Sequence, residues 1–204
     1  MNAGASDRQG DVLRVAAGLF RSRGYQGTSM DDIAKGVGLN KGTLYHYVSG
    51  KSGILFAIYR EAQERALAKI AAIPEQTSPE AAVGEVIRIH LRSVQEHPNE
   101  TAVYFQEMRW IAEWFSEDEL HQLKANERAY VEVTTKMVQR GVDKGYFDTS
   151  NASVVAACMV GLAAWTYQWF DPAGPHTIDE VADVFVPLVL KGLVAESNAI
   201  PVRL

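Results

Sequence analysis

The sequence predicts an all-α protein, and three observations carry that prediction. Apolar residues recur at helical spacing along almost the whole chain. The alternating β-branched runs that mark half-buried strands are absent. Short breaks containing Gly, Pro or Ser separate the periodic segments. With 204 residues and 47% hydrophobic side chains, the chain can bury a small domain and a medium one. A charged fraction of 22% is ordinary for a globular protein.

The helices can be justified in order. In residues 8–23, Val12, Val15, Ala16, Leu19 and Phe20 fall on one face, and Gly24 is placed to stop the helix in a left-handed conformation. Met1 to Ser6 read as a polar tip without fixed structure. A second helix starts after Ser29, whose oxygen can cap the free amides, with Asp31 and Asp32 favoured by the helix dipole. Ile33, Ala34 and Val37 face inward; Gly36 and Gly38 are expected to break the helix, and Gly38 permits a tight turn. A third helix is expected over residues 40–47. Ser49-Gly50 then separates a head, residues 1–50, from a body, residues 51–204.

The body opens with a long helix from Lys51, patterned by Ile54, Leu55, Ile58, Tyr59, Ala62, Ala66 and Ile70. Pro74 and Pro79 bound a loop. Helices follow over 80–96 (ended by Pro98), 100–114, 116–144 (capped by Gly145), 151–170 and 178–195, the last bent by Pro187. This gives a three-helix head and a six-helix body.

Charge is unevenly spread. The net charge is −5, yet residues 1–51 carry seven basic and four acidic side chains, leaving them +3 and the remainder −8. A basic head on an acidic body suits a protein that offers one end to phosphates. The single cysteine, Cys158, excludes an internal disulfide framework or a multi-cysteine zinc site and fits a reducing cytoplasm. Met1 to Asp11 contain no apolar signal region. The most apolar run, Val154 to Phe170, includes Thr166, Tyr167 and Gln168 and falls short of the roughly 20 residues of a membrane span, so a buried helix is expected. The five histidines form no HExxH pair, and no glycine-rich loop follows a strand. Neither an enzyme, a metal site nor a cofactor is expected. A purely structural helical scaffold would explain the body but not the head.

The segment from Thr28 to Tyr47 has the form of a helix-turn-helix, the unit that lays its second helix in the major groove of double-stranded DNA. Asn40, Lys41, Thr43, Tyr45 and His46 are the polar groups that can reach DNA. Thr28-Ser29-Met30-Asp31-Asp32-Ile33-Ala34, Val37-Gly38-Leu39-Asn40-Lys41-Gly42-Thr43-Leu44-Tyr45-His46-Tyr47 and the preceding Ala16-Ala17-Gly18-Leu19-Phe20 and Gly24-Tyr25 resemble the N-terminal signature of the TetR family of one-component regulators. Val48 departs from the family's usual phenylalanine, and Gly50 from its usual serine or asparagine. The resemblance implies a dimeric repressor that blocks a promoter at a palindromic operator and is released by a small-molecule effector. It implies phosphate contacts by Thr28, Ser29, Tyr45 and Lys51, and an exposed recognition face of Lys41, Gly42, Thr43 and His46. Lys41 and Thr43 are the expected base readers, because lysine donates to guanine acceptors and threonine meets the thymine methyl; Gly42 lets the backbone come close.

Two further patterns mark the body. Val181, Val184, Phe185, Leu188, Val189, Gly192 and Leu193 form an apolar stripe over 178–195, and residues 151–170 are apolar on most sides. The resemblance implies that these two helices pair with their copies in a four-helix homodimer interface; Val181, Val184, Phe185, Leu188 and Gly192 are the expected contacts. The second pattern is a set of aromatic and polarisable residues suited to an apolar effector pocket: Tyr104, Met108, Trp114, Met159, Trp165 and Trp169, with His90 as a polar group. Asn126 falls on the stripe of Leu123 and Tyr130 and hints at a polar contact. Trp169 to Pro175 and Val181-Ala182-Asp183 are similar to the branch of the family that senses acyl-CoA thioesters. Glu107 and Glu113, close to the aromatic set, keep open the alternative of an efflux-pump repressor that responds to cationic or aromatic drugs.

Overall fold

A computed structural model of the chain describes residues 3–193. Its helices are α1 Ala3–Arg23, α2 Met30–Val37, α3 Lys41–Leu44, α4 Lys51–Ala71, α5 Pro79–Glu96, α6 Pro98–Glu107, α7 Ile111–Trp114, α8 Glu117–Asp143, α9 Ala152–Ala164, α10 Thr166–Trp169 and α11 Ile178–Leu193. The 3-10 turn Met108–Trp110 joins α6 to α7. No strand occurs among the described residues, and none of their helices is long and apolar enough to cross a membrane. The fold is all-α, as the periodicity requires.

Several boundaries differ from the sequence reading. The tip is helical from Ala3, residues 1–2 lying outside the described residues, as do the last two of the expected 178–195 helix. Gly36 does not break α2 but lies in its last turn. A Cβ there would stand 2.7 Å from Val15 Cγ1, so the glycine serves the close approach of α1 and α2. The expected helix over 40–47 keeps α geometry only to Leu44. The amides of His46 and Tyr47 then donate three residues back, to Thr43 and Leu44 at 3.1 and 3.0 Å, and tighten the end. Pro98 opens α6 at a first-turn position, where its missing N–H costs nothing. The expected 100–114 helix is interrupted at Met108–Trp110, and the 151–170 helix divides between Ala164 and Thr166.

The chain folds as two compact units that do not follow its order. Unit one comprises the described residues up to Arg65 together with Glu96–Asn126. Its core joins Val12, Ala16 and Phe20 of α1, Ile33 and Ala34 of α2, Leu44 of α3, Ile54, Leu55, Ile58 and Tyr59 of α4, and Val103, Phe115 and Leu123 from the later segment. Tyr59 is almost fully buried, and its hydroxyl donates to the carbonyl of Tyr104 at 2.6 Å, which satisfies the one polar atom of a large apolar ring. Arg21 of α1 donates to Asn99 Oδ1 at 3.1 Å. Segment 96–126 is thus packed with the head helices.

Unit two comprises Ala66–Gln95 and the described residues from Glu127 onward. Ile70, Val83, Val86, Ile87, Leu91, Val138, Phe147, Met159, Ile178, Val181 and Val186 form its core. Gly141 lets the Phe147 ring lie against α8, since a Cβ there would overlap the ring. Arg140 of α8 donates to the carbonyls of Glu75 and Thr77, tying down the loop before α5. The 151–170 run, expected to be a buried helix, is buried on one side only. Ala152, Ala156, Met159 and Thr166 are covered, while Val154, Cys158, Gly161 and Trp165 are exposed.

Candidate nucleic-acid interface

The helix-turn-helix is built by local chemistry. Ser29 caps α2: its hydroxyl accepts from the Asp32 amide at 3.1 Å, and the Asp32 carboxylate accepts from the Ser29 amide at 2.9 Å. The hydroxyl and amide of Ser29, with Arg23 and Lys35 nearby, hold the Asp32 carboxyl below the usual carboxylate range. Gly38 ends α2 at φ +72°, where a Cβ is strained, and the Leu39 amide closes back on the Ala34 carbonyl at 2.9 Å. Asn40 then caps α3, its side-chain oxygen accepting from the Thr43 amide at 2.8 Å. Two capped helices separated by a left-handed glycine give the rigid turn that a reading helix needs.

The structure divides the eight expected DNA residues by exposure. Ser29, Lys41, Gly42, Tyr45 and His46 are exposed, and Thr43 is partly exposed. Lys41 Nζ lies 3.1 Å from an oxygen of exposed Asp31, a pair that solvent screens and DNA phosphates can displace. Nothing in the protein demands glycine at position 42: a Cβ would meet only Asn40 Oδ1, at 3.4 Å. Thr28 and Lys51 are different. Thr28 is buried, and its hydroxyl and amide donate internally to the carbonyls of Gly24 and Tyr25 at 3.0 and 3.3 Å. Lys51 Nζ donates to the carbonyls of Tyr25 and Thr28, both at 2.9 Å, and lies 4.4 Å from the centroid of the Tyr25 ring. Burial lowers its pKa from the usual lysine range.

The expected effector residues fall in both units. In unit one, Tyr104 is partly buried and takes a hydrogen bond on its hydroxyl from Gln63 Nε2 at 3.2 Å. Trp114 packs on Tyr25, ring centroids 4.2 Å apart, so it belongs with the head rather than standing apart from it. Met108 is exposed. In unit two, Met159 is fully in the core, and His90 Nε2 is hydrogen-bonded to Tyr130 Oη. Burial of the imidazole pushes the His90 pKa down to about 4. Trp165 and Trp169 are exposed, so in a single chain they do not wall an enclosed pocket. Sequence reasoning missed Gln63. Its Oε1 atom is buried without a hydrogen-bond partner, and so are Asn126 Nδ2 and Trp114 Nε1 in the same unit. Such groups cost about 1–3 kcal/mol each until water or a ligand meets them.

The expected dimer residues also separate. Val181 points into the core of unit two at 7% exposure, while Val184 and Leu188 are 66% and 64% exposed; Phe185 is partly buried. Among the described residues, a Cβ at Gly161 or Gly192 would meet nothing within 4 Å. Among the described residues no group of His, Cys, Asp and Glu could hold a metal.

Comparisons with known proteins agree with this architecture. Residues 12–58 match the family described as bacterial regulatory proteins of the tetR family, and residues 76–193 match the tetracyclin repressor-like C-terminal domain. The HTH-type transcriptional repressor KstR2 of Rhodococcus jostii is 26% identical over 207 residues, covering 96% of each chain. The structure of the ketosteroid transcriptional regulator KstR2 of Mycobacterium tuberculosis superposes with a TM-score of 0.84 at 22% identity, covering 96% of this chain and 97% of that one. AibR, in complex with isovaleryl coenzyme A and operator DNA, superposes with a TM-score of 0.74 at 26% identity, covering 89% and 97%. With one family match at the reading head and another across more than half of the chain, the protein belongs to the TetR family of DNA-binding transcriptional regulators.

Proposed function

We propose that the chain is a cytoplasmic, homodimeric repressor that holds a palindromic operator and is released by an apolar effector, most simply an acyl-CoA thioester. Residues 1–50 bind DNA, and residues 51–204 bind the effector and the second protomer. The observation that carries the reading is the likeness, over nearly the full chain, to AibR bound to isovaleryl coenzyme A and operator DNA, joined by the resemblance to the repressor KstR2. In each head, Lys41 and Thr43 read bases on a recognition face shared with Gly42 and His46, while Ser29 and Tyr45 contact the backbone. The two heads meet half-sites about 34–36 Å apart, so a small change in head spacing removes one of them from its groove. Effector and operator are coupled by about 1–3 kcal/mol.

In unit one, Tyr104 and Trp114 are the effector-side residues, with Gln63 and Asn126 as polar partners whose buried atoms favour a ligand carrying both hydrogen-bond donors and acceptors. The two carboxylates that would favour a cationic drug are not set in a pocket: Glu107 accepts from the Tyr25 amide at 3.0 Å, and Glu113 is exposed. The test is release of the protein from a labelled duplex of its own upstream region by acyl-CoAs of increasing chain length, with free CoA and a cationic dye as controls. Each buried methylene is worth about 0.8 kcal/mol, so potency climbs with length until the site is full. Release by the dye with none by any thioester overturns the acyl-CoA reading.

A further inference from the structure

We infer that Lys51 and Glu107 are positioning residues of the DNA-reading head, a clamp on the Tyr25–Thr28 connection. Two carbonyls and one amide of this short connection are held from two sides. Lys51 Nζ, at the first residue of α4, donates to the carbonyls of Tyr25 and Thr28, both at 2.9 Å. Glu107 Oε1, at the last residue of α6, accepts from the Tyr25 amide at 3.0 Å. The Tyr25 ring fills the space between, 4.4 Å from Lys51 Nζ and 4.2 Å from the Trp114 ring, with Phe20 edge-on at 5.3 Å.

An ammonium has three N–H donors. Two are spent on carbonyls, and the remaining charge faces an aromatic ring. The site is otherwise a poor one for a cation, because the N-terminus of α4 carries the positive end of the helix dipole. Two carbonyl acceptors offset that repulsion. The held connection leads directly into Ser29, the cap of α2, and α2 carries the turn that aims α3. Through this route Lys51 and Glu107 act on operator affinity by holding the approach to α2.

The inference rests on the reading of α3 as the DNA-reading helix, and two measurements separate its failure from the failure of that reading. Hydrogen exchange of the wild-type chain, without DNA, should show the Tyr25 amide protected; exchange at the rate of an open loop overturns the clamp. Binding to the upstream duplex is then measured over a range of salt concentrations. Lys51→Met should weaken binding about tenfold and release the protection of residues 25–28. Protection left intact overturns the proposal, and a salt slope smaller by about 0.9 in that case reads Lys51 as a phosphate contact alone. Glu107→Leu removes a negative charge, which by charge alone would tighten DNA binding. The clamp requires it to weaken binding about tenfold, with Glu107→Gln, still an acceptor, restoring affinity to within about twofold of wild type. Wild-type or tighter binding by Glu107→Leu overturns the proposal, including where Lys51→Met fails to fold.

Discussion

Lys41 and Thr43 differ in how they are held on the same short helix. The lysine is tethered only by a screened pair with Asp31, whereas the amide of Thr43 is fixed by the Asn40 cap. Thr43 is therefore presented in a set orientation and Lys41 can adapt to its base. Lys41→Ala and Thr43→Ala should each cost about 1–3 kcal/mol of specific binding and much less of non-specific binding. A specificity ratio that both variants leave unchanged removes them from base reading. His90 makes a second residue-scale prediction. Its folded pKa of about 4 lies below the ordinary value of 6.5, so between these values the unfolded chain binds more protons and stability falls as pH falls. At neutral pH the group contributes nothing, and below about pH 4 the penalty is complete. Going from pH 7 to pH 5 should cost the wild type about 1–2 kcal/mol more than His90→Gln, which retains a partner for Tyr130. Parallel urea-unfolding profiles for the two proteins would show that the imidazole does not titrate in this way.

At the scale of elements, two glycines of the head serve different ends. At Gly36 the added Cβ meets Val15 of α1, and at Gly42 it meets almost nothing. Gly36→Leu should overpack the α1–α2 contact and lower stability by about 1–3 kcal/mol. Gly42→Ala should raise stability slightly, by up to about 1 kcal/mol for an exposed helical position, and yet weaken operator binding, because the side chain stands where DNA approaches. Thermal melts and duplex titrations of the two variants separate the roles; stability and affinity falling together in Gly42→Ala would make that glycine structural. The caps behind this geometry were legible in the sequence. Ser29, Gly38 and Asn40 act within a few residues, and local chemistry fixes them. The packing of 96–126 with α1 was not legible, nor was Trp114 against Tyr25, nor the Glu107 and Lys51 hydrogen bonds to the Tyr25 connection. Periodicity marks a face as apolar without saying which distant segment covers it, and a charged residue near a helix end gives no sign of a carbonyl contact 23 or 26 residues away. For the same reason Gly36 was legible as a special position but not as a close approach.

For the whole molecule, the decisive feature is an apolar surface that the chain leaves open. The exposed positions Val154, Cys158 and Gly161 of α9 and Trp165 just past its end are spaced by four, three and four residues, one stripe at helical spacing. On α11, Val184 and Leu188 are one turn apart, and Gly192 continues their line. Two glycines with no neighbour at Cβ distance among the described residues would let a second helix come close. Exposed Trp165 continues this stripe. The proposed second copy of the chain would cover it, since a symmetric dimer matches one patch with itself and places two heads on a palindrome. The sequence showed one continuous stripe on 178–195, but the structure resolves two faces, Val181 and Val186 inward and Val184 and Leu188 outward. That split makes a sharp contrast between two substitutions of the same chemistry. Leu188→Glu should yield a folded monomer, because the charge is hydrated in the free protomer and desolvated only in the dimer. Val181→Glu should instead unfold unit two, since the carboxylate would be buried in its own core at a cost of several kcal/mol. Sedimentation and circular dichroism distinguish the outcomes: Leu188→Glu should sediment as one chain with native helicity and bind the palindrome far more weakly than the dimer. A Leu188→Glu protein that remains dimeric would place the interface on another face and detach Trp165 from it.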